Sequence, residues 1–254
     1  MNRDYWLNRL ADKLYDKQSK EMKKELRKYY KQAIKDIKYE LQELYIKLIE
    51  DGGLSTTNLY KYGRYNVLQM ELEKIIRGLG GREQVYLNTE LEKAYMLMFE
   101  NTSMYLEGSI NWGIQQKEVM EQLINANFKG ANFKTRINTN KERLLKNLNK
   151  EIVNCIASGA PKDRAIKQIM NVTGASFNDA DRLMRTELMR CINYGQVESY
   201  KEHGYTQFKV LPGKDERTCE ICNGKQGRAY YFELDELPPF HPRCRCTIIP
   251  IIKK

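Results

Sequence analysis

The sequence predicts a mainly α-helical chain: long N-terminal helices, then a small α+β C-terminal lobe. Three observations lead there. All six prolines, from Pro161 to Pro250, lie in the last hundred residues. Proline removes an amide donor and clashes with the preceding turn, so the first 160 residues are free to run as long helices and the last fifty are not. Tyr30, Ile34, Ile37, Leu41, Leu44 and Leu48 step by four and three, a heptad stripe. Finally, four cysteines and a histidine crowd into residues 219–246, the donor density of a zinc knuckle.

Taken in order, residues 5–50 read as one helix, its loose upstream stripe set by Leu7, Leu10, Leu14, Met22 and Leu26. Asp51-Gly52-Gly53 ends it, because glycine takes the left-handed cap at no steric cost. Ser55, Thr56 and Thr57 can cap a second helix, which runs to about Arg77 and is stopped by Gly78-Leu79-Gly80-Gly81. A third covers 82–107 with Leu87, Leu91, Tyr95, Met98 and Tyr105 among its apolar positions. Helices near 114–127 and 140–158 follow, separated by a glycine-containing loop at 128–133 that reads as a hinge. Pro161 opens a short helix over 161–172. Ser176-Phe177-Asn178-Asp179 resembles a capping box and opens another, which runs to His203 and ends at Gly204. Beyond it Phe208–Leu211, Tyr230–Phe232 and Thr247–Ile249 read as strands. The division expected is an elongated helical region over 1–130 and a second domain over 131–254, whose lobe occupies about 208–252.

The 43 Lys and Arg against 33 Asp and Glu give a formal charge of +10, which attracts polyanions such as nucleic acid. Lys24, Lys28, Lys31 and Lys35 are candidate DNA contacts, although mixed signs along the chain equally suit helices merely coated with lysine. Seventeen tyrosines offer faces for bases, for partners or for the core. No apolar run approaches the ~20 residues of a spanning helix, and Met1–Leu10 contains Asp4 and no apolar block, which argues against a signal peptide and a membrane anchor. In a reducing cytoplasm six cysteines point to ligands or buried thiols rather than disulfides.

Cys219 and Cys222 form half a tetrahedral site, and His241 and Cys244 repeat the two-residue spacing. Cys246, two residues on, faces the same way as Cys244 along an extended strand and competes for a place, so four of five donors are expected to hold a structural zinc. A redox pair would put Cys219 at a helix N-terminus; here Asn223-Gly224 is expected to turn the chain instead. A catalytic zinc needs an open position and a base, and Glu220, Glu233 and Glu236 have no metalloprotease spacing. A zinc-finger nuclease needs a histidine outside the ligand set, and only His203 is left for it. Cys155 and Cys191 fall in helical patterns as core thiols. A lobe with so little core of its own needs metal to fold, and it is expected to clamp the terminal strands against the 177–203 helix.

These residues also form a longer pattern. Arg185-Thr186-Glu187, Arg190, Asn193, Gly195, Tyr200 and Gly204 precede Asp215-Glu216-Arg217-Thr218-Cys219 and Cys222; Gly227, Pro238-Pro239, His241-Pro242 and Cys244-Arg245 follow. Over residues 140–254 this resembles the phage head-morphogenesis family of Mu F-like minor head proteins, and Tyr5-Trp6 in a lysine-rich helix is similar in style. The resemblance implies that 131–254 is a Mu F-like domain in which Arg185, Glu187, Asn193, Asp215 and Arg245 serve structure. It implies a non-enzymatic minor capsid protein made in the bacterial host cytoplasm and taken inside the head near the portal. The partners implied are the portal protein, capsid or scaffolding proteins, and non-specifically bound double-stranded DNA. A nuclease or a DNA-binding regulator is the alternative.

Overall fold

A computed structural model describes residues 3–106, 114–213 and 218–251, with side chains from residue 10 in the first segment and 116 in the second. Seven helices and three strands are formed by the described residues: α1 (Arg3–Glu50), α2 (Thr56–Tyr60), α3 (Arg64–Tyr105), α4 (Ile114–Asn125), α5 (Phe133–Ala157), α6 (Lys162–Glu202), β1 (Gln207–Leu211), α7 (Glu220–Gly224), β2 (Ala229–Tyr231) and β3 (Thr247–Pro250). The expected class is therefore what the chain adopts. None of the described helices is long and apolar enough to cross a membrane.

Helix ends follow the glycines closely. Gly52 and Gly53 take φ of 97° and 119°, Gly159 takes 64° and Gly204 takes 77°. At each end an amide reaches back five residues (Gly53 to Leu48, Ala160 to Cys155 and Tyr205 to Tyr200, at 2.8–3.0 Å), which satisfies carbonyls that the helix leaves open. Ser55 caps α2 by accepting from the Asn58 amide at 3.1 Å. That helix is short: it gives way to a 3-10 turn at Lys61–Gly63, where Tyr62 has a φ of 56°.

The second helix, expected to run to about Arg77, thus ends at Tyr60, and three further boundaries move. Gly78-Leu79-Gly80-Gly81 does not stop a helix, and α3 continues through it to Tyr105. Glycine inside a helix costs only about 1 kcal/mol relative to alanine, and Leu79 is fully buried in the core, which holds the turn in place. Likewise 161–172 and 177–203 are one helix: Ser176 lies within α6, buried, with its hydroxyl 3.3 Å from that of Tyr30, so it caps nothing. The next helix begins at Phe133 rather than near 140, directly after a loop in which Lys129 and Gly130 have φ of 50° and 99°.

The chain divides into two compact units. One comprises Lys23–Tyr86 and Lys134–Asp181. Its core is largely aliphatic, with Ile37, Leu41, Leu48, Leu72, Ile76, Leu148, Ile152 and Ile169 buried together. A buried ion pair also lies inside this unit. Lys141 forms an ion pair with Glu83, both almost wholly buried, and donates to the Tyr30 hydroxyl, which sits beside the Ser176 carbonyl. Burial lowers the Lys141 pKa, opposed by Glu83, and burial raises that of Tyr30. Gly80 makes room for this lysine: a Cβ there would lie 3.1 Å from Lys141 Cγ.

The other unit comprises Met1–Met22, Leu87–Phe133 and Arg182–Lys254. Gly195 brings the backbone of α6 against α3, where a Cβ would meet the Tyr95 carbonyl oxygen at 2.5 Å. The antiparallel sheet has the order β2-β1-β3, with Phe208 opposite Tyr230 on one side and Val210 opposite Ile248 on the other. Its core is aromatic. Phe208 and Phe232 stack at 5.1 Å, and Tyr200 of α6 stacks on Phe232 at 6.1 Å.

Candidate metal centre

Cys219 is the N-cap of α7, so Cys222 comes round one turn later with its sulfur beside that of Cys219. The expectation that Asn223-Gly224 turns the chain in place of a helix is thus corrected: both belong to the one-turn helix, and the left-handed bend falls at Gly227, with φ of 73°. The Asn223 amide donates to the Cys219 carbonyl at 2.9 Å and closes this turn. The second half is a tight turn in which the Cys244 amide donates to the His241 carbonyl at 3.1 Å. Pro238-Pro239 just before it is cis, and Arg243 inside it has a φ of 61°.

The two halves bring all five donors together. His241 Nε2 is 3.2 Å from Cys219 Sγ and 3.1 Å from Cys222 Sγ, while Cys222 and Cys244 sulfurs are 3.7 Å apart. Cys246 joins Cys222 and Cys244 in a second group of three. In a tetrahedral zinc site, thiolate pairs stand about 3.8 Å apart and a thiolate–imidazole pair about 3.6 Å. The separations here fit such an ion with small adjustments, and the soft sulfur and imidazole donors suit it. The cluster can hold a metal ion.

Charge within the cluster is unequal. A hydrogen bond from the Cys246 thiol holds Cys244 down, at about 5, and the same contact pushes Cys246 up. Burial pushes Cys222 up to about 12. Of the adjacent pair, then, Cys244 is the sulfur that ionises first. Away from the cluster, burial is the largest cause that raises Cys191 to about 12, and Cys155 donates to Gln168 at 2.8 Å; both are core thiols, as expected.

Helix α6 supplies the frame. Thr186 accepts from the Arg243 amide at 3.0 Å and so pins the strained residue of the second turn. Asn193 donates to the carbonyls of Pro238 at 3.2 Å and Cys246 at 3.0 Å, one on each side of that turn. Glu187 and Arg190, each 1% exposed, pair at 2.7 Å, and Arg190 also donates to the carbonyls of Leu123 and Ile124 at the end of α4. Arg245 reaches Asp16 at 3.0 Å and Asp12 at 3.7 Å on α1, with its guanidinium over the Tyr15 ring. From the α4–α5 loop Lys129 donates to the Phe240 carbonyl at 2.5 Å. Arg185 is half-buried on α6. Asp215 lies outside the described residues.

The structural weight of Thr186, Arg190 and Arg243 was not singled out from the sequence. For Arg190 the signal was present, because a Glu and an Arg three apart in an apolar stripe have to pair if both are buried. The Arg245–Asp16 bond, spanning 229 positions, left no local trace. His203 sits at the end of α6 with Nδ1 2.7 Å from the Ser199 carbonyl of its own helix. Lys24, Lys31 and Lys35 are exposed on α1, and Lys28 pairs with Glu25 at 2.6 Å.

No curated protein and no solved structure matches the chain. One family does: its description is Phage Mu protein F like protein, and the match covers residues 146–249, from the middle of α5 to the end of β3. That span contains every donor of the cluster and the whole α6 frame, and over it the chain is similar to the Phage Mu F-like family, which supports a phage head-morphogenesis family.

Proposed function

We propose that this chain is a structural minor head protein of a tailed phage, lodged inside the head at the portal vertex, with a zinc ion held by the cysteine–histidine cluster. One observation carries the structural reading. Polar side chains of the family pattern are engaged in bonds within their own unit: Thr186 and Asn193 hold the second turn of the lobe, Glu187 and Arg190 pair and reach the end of α4, and Arg245 bonds to α1. A zinc there supplies folding free energy to a lobe whose sheet is only three short strands. No reaction step is assigned to it.

The portal, the capsid or scaffold and the packaged DNA are the partners of this reading. Exposed Lys24, Lys31 and Lys35 are suited to phosphates, where counterion release gives salt-sensitive, sequence-independent affinity. The deciding experiment is co-purification of the full chain with the portal protein encoded in the same genome, followed by detection of both in assembled heads. Retention in heads is expected. Absence from heads, together with plasmid cutting that requires magnesium or manganese and is lost in His203→Ala, would replace the structural reading with a nuclease.

A further inference from the structure

The corner where α1 turns through α2 into α3 carries an apolar face that the zinc cluster and its frame leave unused. We infer that it is a docking surface for another protein, one that presents an apolar centre and an acidic rim. The identity of that protein as the portal rests on the reading proposed above.

The outer stripe of α1 changes character along its length. Lys24, Lys28, Lys31, Lys35 and Lys38 step by four and three, and the same register continues through Gln42, Ile46 and Ile49, which carry no charge. Leu41, Leu44 and Leu48 take the core side, and Ile46 and Ile49 stand in solvent. Tyr60, Tyr62, Val67 and Met70 join them from beyond the turn, and all six are 50–76% exposed. Single exposed apolar residues are ordinary. Six gathered at one corner expose roughly several hundred Å², which is the scale of a binding surface.

The corner is held in place by directed bonds. Arg64 pairs with Asp51, and Asn58 donates to the carbonyls of Asp51 at 3.2 Å and Gly53 at 2.9 Å, so the start of α3 is tied to the end of α1. Tyr60 meets Tyr65 edge-on at 5.2 Å. Tyr62 has a φ of 56°, an outlier for a bulky side chain, and is the most exposed tyrosine among the described residues. The Arg64 guanidinium and the Lys61 ammonium stand over its ring at 5.2 and 5.1 Å. An aromatic ring ordered in advance beside an arginine is the usual anchor of a protein interface, because little freedom is left to lose on binding.

Charge and composition select the occupant. The surrounding unit carries 22 Lys and Arg against 14 Asp and Glu, so a second copy would set +8 against +8. Duplex DNA suits the lysine half of the stripe, but its phosphates offer nothing to Ile46 and Ile49. Tyrosine, methionine and arginine are enriched in protein interfaces, whereas none of the six exposed residues is the Trp, Phe or Leu of a membrane-inserting face. Between residues 46 and 70 the exposed charges are Lys47, Lys61 and Glu50. That balance is positive, and the rim it complements is acidic.

Equilibrium binding of the full chain to the portal protein encoded in the same genome reads this surface. Ile49→Glu and Tyr62→Ala are each expected to weaken binding at least about tenfold, with the melting curve unchanged because both side chains are exposed. Val85→Glu is the control: Val85 is equally exposed on α3 but lies about 27 Å along the helix from Val67, and it is expected to bind as the wild type does. The double variant Lys47→Glu/Lys61→Glu is expected to lose about tenfold at low salt and less at high salt. If both corner variants bind as tightly as the wild type, or if Val85→Glu loses as much as they do, the inference is overturned and the portal reading stands. A wild type that sediments as a dimer, with Ile49→Glu a monomer, gives the face to a second copy. Flotation with phosphatidylglycerol vesicles that Ile49→Glu abolishes gives it to lipid. Either result overturns the inference. A wild-type chain that does not bind the portal protein removes the portal reading, and this one with it.

Discussion

The unit made of residues 23–86 and 134–181 carries 22 Lys and Arg against 14 Asp and Glu, whereas the remainder of the chain carries 21 against 19. The first holds an aliphatic core with one buried ion pair. The second holds an aromatic core, five converging metal donors and a ladder of polar side chains from α6. The contrast teaches how order is obtained. Long helices bury enough apolar surface to fix themselves, and their outer faces are free to collect charge. Three short strands cannot, so directed bonds take over, and a metal with them in the reading proposed above.

Metal removal should break the comparison most visibly. A chelator is expected to abolish hydrogen-exchange protection over 207–250 and leave 134–181 protected, since a structural zinc supplies on the order of 10 kcal/mol to its own lobe. Equal loss in both units would mean that they do not fold separately. Next come the two buried ion pairs, one in each unit. Lys141→Met strands Glu83, and Arg190→Met strands Glu187 along with two helix-end carbonyls. Each is expected to cost about 3–5 kcal/mol in urea unfolding, with protection lost only in the unit that contains the substitution. Gly195→Ala should cost about 1–3 kcal/mol through the crowding of Tyr95.

An alkaline titration sharpens the contrast further. Burial raises Cys191 from 9.0, and Tyr45 from 10.0, each to about 12. Both groups bind their proton more tightly when folded, so their contribution is complete below the unfolded values and is lost as pH rises through about 12. Protection around Cys191 should therefore begin to fall above pH 9, and Cys191→Ala should remove that decline. The smallest effect expected is Arg245→Ala, at about 1 kcal/mol or less, because its carboxylate partners are open to solvent.

Much of this was legible in the sequence wherever the cause is local. The heptad of α1, the terminal glycines at 52, 53 and 204, the three strands and the convergence of Cys219, Cys222, His241 and Cys244 all follow from spacing and backbone chemistry. Signals that failed were ambiguous ones. Ser176 and the glycines at 78–81 look like punctuation, but packing on Tyr30, Leu79 and Lys141 overrides a modest local preference. Long-range pairs such as Asn193 with Cys246, or Arg245 with Asp16, carry no periodicity and are seen only once the chain is folded.

The missing side chain at Gly80 has a consequence for how this protein can vary. Position 80 and position 141 are in close contact, so a side chain at 80 presses on the lysine and shifts it against Glu83. A descendant that replaces the lysine must also neutralise Glu83 on the way. Three positions on two helices are thus coupled, and a library built on this chain gains by varying them together.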